Sequence, residues 1–150
     1  MSDLATRVHG ALTALDVEFT VLGSGQWGVV LPSQARGSLT VALRGGERTL
    51  HLTAFLMRAP DRHHEAVYAR MLTKNLTMYR WAFALDELGD VYLTARVPEA
   101  AVDEALMDEL LGLGVVYADE VYDVLVRTGF DIPPGVSLSG PPTPPAPGAG

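Results

Sequence analysis

The residues best suited to hold a metal or move a proton are the histidines and three small groups of acids. His63-His64-Glu65 sets two imidazoles beside a carboxylate. Neighbouring helical residues point about 100° apart. Neither HExxH nor a carboxylate triad surrounds them, so a metal site here would need His51 from a neighbouring strand as its third ligand. A helix N-terminus disfavours an imidazolium, which makes a pair of neutral surface groups the plainer reading. The alternative is a small-ligand or metal-binding domain built on His51, His63 and His64. Asp86, Glu87 and Asp90 share one loop, but EF-hand spacing is absent, and Asp86 and Gly89 are ordinary β-turn residues.

Other motifs carry less. Gly23-Ser24-Gly25-Gln26-Trp27-Gly28 fits G-x-G-x-x-G, with Glu47 further on. A dinucleotide fingerprint must open a helix, whereas Val29-Val30-Leu31-Pro32 reads as another strand. A glycine-rich hairpin turn is expected there. Ser24 and Ser38 follow glycines without a nucleophile elbow. Asn75 sits near a helix end and is expected to cap it or bond to backbone. The sequence therefore assigns no catalytic residue, no metal and no cofactor.

Charge is more informative. The segment from Arg36 to Arg80 holds eight basic residues and three acids, for a net +5. From Val97 to Val126 there are eight acids and no Lys or Arg, for a net −8. Like charges along one helix repel, so the acids Asp103, Glu104, Asp108 and Glu109 are expected to meet a basic partner protein or the basic half of a second copy. The last helix is too acidic for direct nucleic-acid binding. A weak nucleic-acid reading would have to use the Arg-rich 36–80 face. Met71, Met78, Tyr79, Trp81 and Phe83 bridge a helix and a hairpin, either as core or as an apolar seam for a dimer or a client.

The elements that must position these groups follow from periodicity. Leu4, Val8, Leu12 and Leu15 predict a helix over residues 3–15 with Ser2 as N-cap. Val17–Val21, Trp27–Leu31, Leu39–Leu43 and Leu50–Leu56 alternate as strands, and Gly45-Gly46 is expected to supply two positive-φ positions of a tight hairpin. Asp61 is expected to cap a second helix whose core stripe is Tyr68, Leu72, Leu76 and Tyr79. A hairpin follows over residues 81–97. Beginning near Pro98, the stripe Val102, Leu106, Leu110, Leu113, Tyr117, Val121 and Val124 predicts one long helix, with a kink possible at Gly112 and Gly114. The class is α+β, a twisted antiparallel sheet flanked by helices in the order α-βββ(β)-α-ββ-α.

The chain has 150 residues, no cysteine, 48% hydrophobic and 19% charged residues, and a net charge of −7. That length suits one domain with a substantial core, expected over residues 1–132. Residues 133–150 hold seven of the ten prolines and are expected to form a disordered Pro/Gly-rich tail. Without cysteine there is no disulfide framework and no thiolate zinc site. The longest apolar run, Leu110–Ala118, is far short of the roughly 20 residues of a membrane span. No basic, then apolar, leader heads the chain, so a cytoplasmic protein without membrane contact is expected.

Met71-Leu72-Thr73-Lys74-Asn75-Leu76, Trp81–Asp86, Gly89–Leu93 and the closing Ala118–Asp123 resemble the bacterial YbjN family. That family looks like the type III secretion chaperone fold. The resemblance spans about residues 15–130 and transfers no catalytic residue. It implies a dimeric, non-enzymatic protein-binding domain, chaperone-like or regulatory. The proline-rich tail and the Arg-rich middle depart from a secretion chaperone.

Overall fold

The computed structural model describes residues 3–138. Helix α1 spans Asp3–Ala14 and buries Leu4, Val8, Ala11 and Leu12, the i, i+4 stripe that the spacing requires. The expected cap, Ser2, lies outside the described residues. Strands β1 (Glu18–Gly23), β2 (Gln26–Ser33), β3 (Gly37–Gly45) and β4 (Thr49–Met57) form a meander. Helix α2 (His64–Asn75) leads to the hairpin β5 (Trp81–Leu85) and β6 (Val91–Pro98). A 3-10 turn, Glu99–Ala101, precedes helix α3 (Glu104–Gly129). The class and element order agree with the sequence.

All six strands are antiparallel neighbours in the order β1-β2-β3-β4-β6-β5. Strand β6, not β5, pairs with β4, so the second hairpin docks by its returning strand and leaves β5 at the edge. In the middle of the sheet, every second residue is buried and the residues between face outwards. The helices lie against the buried face. Such one-sided coverage suits an antiparallel sheet.

Two glycines of α3 set how closely other elements approach. At Gly114 a Cβ would stand 3.0 Å from the Trp81 ring. The bare backbone there lets the indole lie against the helix, where its Nε1 donates to the Leu110 carbonyl at 2.9 Å. At Gly129 a Cβ would fall 2.8 Å from Pro60 Cβ, and the Gly129 carbonyl accepts from the Asp61 and Arg62 amides.

Several local expectations need correction. Neither Gly45 nor Gly46 has positive φ. Gly45 instead makes room for Leu4, whose Cδ2 would lie 2.9 Å from an added Cβ. Helix α2 is entered through His63 in the left-handed region (φ 55°), without a side-chain cap, while Asp61 pairs with Arg58 at 3.1 Å. Pro98 ends β6, and the cap of α3 is Asp103, which accepts from the Leu106 amide at 2.8 Å. The 26 residues of α3 run as one helix. Residues 133–138 of the expected tail are described: Arg127 donates to the carbonyls of Pro133 (2.9 Å) and Val136 (2.6 Å). The remainder, 139–150, lies outside the described residues.

Candidate functional site

The apolar residues of the α2–β5 region exchange roles relative to expectation. Met71, Trp81 and Phe83 are buried, so a seam between chains cannot use them without opening the core. Met78 is half-buried and Tyr79 is exposed. Conversely, Leu72 and Leu76, expected in the core, are 69% and 87% exposed. The reason lies in the helix register: α2 turns Val67 and Met71 inwards, one residue before the expected stripe. Leu72, Leu76 and, past the end of the helix, Tyr79 are therefore exposed apolar groups on this side of the molecule. Beside it, a groove of about 640 Å³ opens between α2 and α3, lined by Ala66, Ala69, Thr73, Leu76 and Val121 among others.

The end of α2 is tied to the sheet. Asn75 accepts from the Phe83 amide at 2.7 Å and donates to the Phe83 carbonyl at 3.2 Å, occupying the outward backbone groups at the centre of β5. This is the backbone-bonding role that its type suggested. Nothing comparable among the described residues covers the outer edge of β1.

Most acids of α3 are engaged within the chain. Asp103 caps the helix, Glu109 meets Arg80 at 3.1 Å, Glu120 pairs with Lys74, and Asp123 meets Arg127 at 2.9 Å. Asp119 holds the β2–β3 turn, accepting from Ser33 Oγ at 2.5 Å and the Ala35 amide at 3.2 Å. Of the four acids singled out by sequence, Glu104 and Asp108 remain exposed with no ion pair among the described residues. The pairs of Lys74 and Arg80 with α3 bridge 46 and 29 positions, a distance that charge counting along the chain does not see.

The Arg-rich segment is not one face. Arg36 is buried, with Nε donating to the Leu56 carbonyl at 2.9 Å, Nη1 donating to the Ser38 carbonyl at 2.6 Å, and the guanidinium 5.7 Å from the Phe55 ring centre. Burial pulls its pKa below the usual arginine value. Nearby, the Tyr122 hydroxyl is buried without a hydrogen-bond partner, and burial pushes its pKa up. Arg58 lies on the Phe130 ring and pairs with Asp61. With Lys74 and Arg80 also paired, the 36–80 surface supposed for nucleic acid is dispersed.

The histidine trio is likewise separated. His51 lies near the start of β4, whereas His63 and His64 follow its far end. His63 Nε2 stands 3.5 Å from Asp131 Oδ1, and His64 meets Tyr68 edge-on. No three His, Asp or Glu side chains among the described residues are grouped to hold a metal ion.

This architecture, helices against one face of an open antiparallel sheet, defines the type III secretion chaperone-like class. The chain aligns with a chain of the HopA1–SchA chaperone–effector complex at a TM-score of 0.59 and 14% identity, covering 79% of this chain and 91% of that one. For the ExsC–ExsE complex the TM-score is 0.62 at 18% identity, with 83% and 98% covered. For the Yersinia pestis type III secretion chaperone SycH with a YscM2 fragment it is 0.58 at 18%, with 77% and 96% covered.

Within that class the chain belongs to the YbjN family, described as "putative bacterial sensory transduction regulator", whose model matches residues 4–127. It is 34% identical over 102 residues to an uncharacterised protein of Mycobacterium leprae, covering 68% of this chain and 55% of the relative. An uncharacterised Mycobacterium tuberculosis protein is 33% identical over the same length, with 68% and 56% covered. The chain thus spans about half the length of these curated relatives. No described helix is long and apolar enough to cross a membrane.

Proposed function

We propose that this chain is a non-enzymatic, cytoplasmic protein-binding module, chaperone-like or regulatory, that works as a homodimer. The observation that carries the reading is the outward group Leu72, Leu76 and Tyr79 beside the α2–α3 groove, which includes the two most exposed large apolar side chains among the described residues. Structural neighbours support it in kind, since two of them are chaperones described in complex with other proteins. Met78 and Tyr79 join the dimer seam in this reading. Glu104 and Asp108, at the start of α3 beside the capping Asp103 and the paired Glu109, are the electrostatic contact for a basic partner.

Light scattering on the full chain tests the dimer: a mass near twice the 16.1 kDa chain is expected. Leu72→Glu with Leu76→Glu should yield a folded monomer, with the circular dichroism spectrum unchanged. A wild-type monomer at every concentration overturns the dimer, and a double variant that remains dimeric overturns this group as its seam.

A further inference from the structure

The face of the sheet turned away from the helices carries a row of basic side chains with no acid beside them among the described residues. Strand register sets Arg44 of β3 directly opposite His51 of β4, and His51 directly opposite Arg96 of β6. Gln26 of β2 extends the row beside Arg44. These side chains alternate with the buried Leu43, Leu50, Leu52, Ala95 and Val97, so they project from the outer face. Strands lie about 4.8 Å apart, which places the two arginine backbones about 10 Å from one another with His51 midway.

Arg58, Lys74, Arg80 and Arg127 each have a carboxylate partner. Among the described residues Arg44 and Arg96 have none. The next row on the same face is Gly28, Ala42, Thr53, Thr94 and Ala82, without an acid. Arg44 and Arg96 flank His51 with no acid between them, so an anion seated across the row would meet two positive fields at once. A shallow cleft of about 320 Å³ adjoins it, with Leu22 and Ala42 offering apolar contact and Gln26 and Thr53 offering neutral hydrogen-bonding groups.

We propose that this row binds a phosphate monoester, held by Arg44 and Arg96 on either side of His51, with the group that carries it resting in the cleft. A phosphoryl group concentrates nearly two charges and three acceptor oxygens in one compact body, so two guanidinium forks can engage it together. A carboxylate occupies one fork. A nucleic-acid strand needs cations along a track, and the next row on this face, Gly28, Ala42, Thr53, Thr94 and Ala82, holds none. A nucleotide-sized molecule and a phosphorylated side chain share the chemistry required. The site is independent of the dimer seam.

Calorimetric titration of the full chain at physiological ionic strength tests it, with 5′-AMP, a phosphoserine peptide and inorganic phosphate as probes. Adenosine, the unphosphorylated peptide and sulfate serve as controls. Saturable binding of one monoester is expected, with its unphosphorylated counterpart silent. AMP or the peptide, whichever binds, names the source. Arg44→Gln and Arg96→Gln should each weaken it about tenfold, roughly the worth of one charged hydrogen-bonding group. Arg62→Gln, elsewhere on the surface, should leave it unchanged. Absence of saturable binding to every monoester, equal binding of sulfate, equal weakening by Arg62→Gln, or binding confined to an RNA oligonucleotide would each overturn the proposal. So would a marked fall in the ligand-free melting temperature of Arg96→Gln, because the row would then be serving the fold.

Discussion

Across five adjacent strands, Val29, Val41, Ala54, Leu93 and Phe83 stand side by side on the covered face, and one position along, Gly28, Ala42, Thr53, Thr94 and Ala82 stand side by side on the open one. The first row is wholly apolar and buried. The second is small or hydroxylated, and its threonines keep the β-branched shape that strands favour while offering water a hydrogen bond. The same backbone thus supports a core on one side and, on the other, a row of small or hydroxylated residues. Stability should depend steeply on the first row and hardly at all on the second.

The sharpest way to break that contrast is a pair of alanine substitutions, one at Trp81, two positions from Phe83 on the same covered face, and one at Thr53 of the open row. Trp81→Ala, which empties the space against Gly114 and removes the bond to the Leu110 carbonyl, should cost about 3–5 kcal/mol in urea unfolding. Thr53→Ala should stay within about 0.5 kcal/mol. Comparable losses would show that something covers the outer face.

A smaller effect is expected where the covered side reaches the edge. Asn75→Ala leaves the Phe83 amide and carbonyl without their partner and should cost about 1–3 kcal/mol. Faster hydrogen exchange at the Phe83 amide would locate the loss.

The smallest change probes the one buried side-chain polar atom without a partner among the described residues. Tyr122→Phe deletes a buried, unbonded hydroxyl, so stability near neutral pH should stay within about 1 kcal/mol of the parent or rise slightly. Because burial raises the Tyr122 pKa in the folded state, its contribution is intact below the unfolded value of about 10 and is lost as pH climbs past it. The variant should show a shallower alkaline decline in unfolding free energy than the parent.

Periodicity was enough to read the α+β class, the strand alternation and the long last helix, because each rests on local repeats of two or three to four residues. The pairing of β6 with β4 was not legible, since either strand of the hairpin has an apolar face that could dock. Helix α2 misleads for a physical reason: with only Val67 and Met71 turned inwards, its stronger leucine repeat belongs to the solvent side. Of the candidate site residues, Asn75 was readable from its type and position. The neutralisation of Glu109 and Glu120, and the alignment of Arg44, His51 and Arg96, depend on contacts between distant positions. The entry to α2 is His63 in the left-handed region, and Asp61, two residues ahead of it, pairs with Arg58 instead of capping the helix.

Asn75 also sets how far such a sheet can propagate. An edge with free amides and carbonyls invites another strand, and a sheet with two such edges can add copies without limit. Here the β5 margin has its central groups occupied from within the chain, while the β1 margin stays bare. Joining bare margin to bare margin uses up both, so strand-to-strand association would stop at a pair. One amide side chain thereby closes one of the two routes by which this sheet could grow through strand addition.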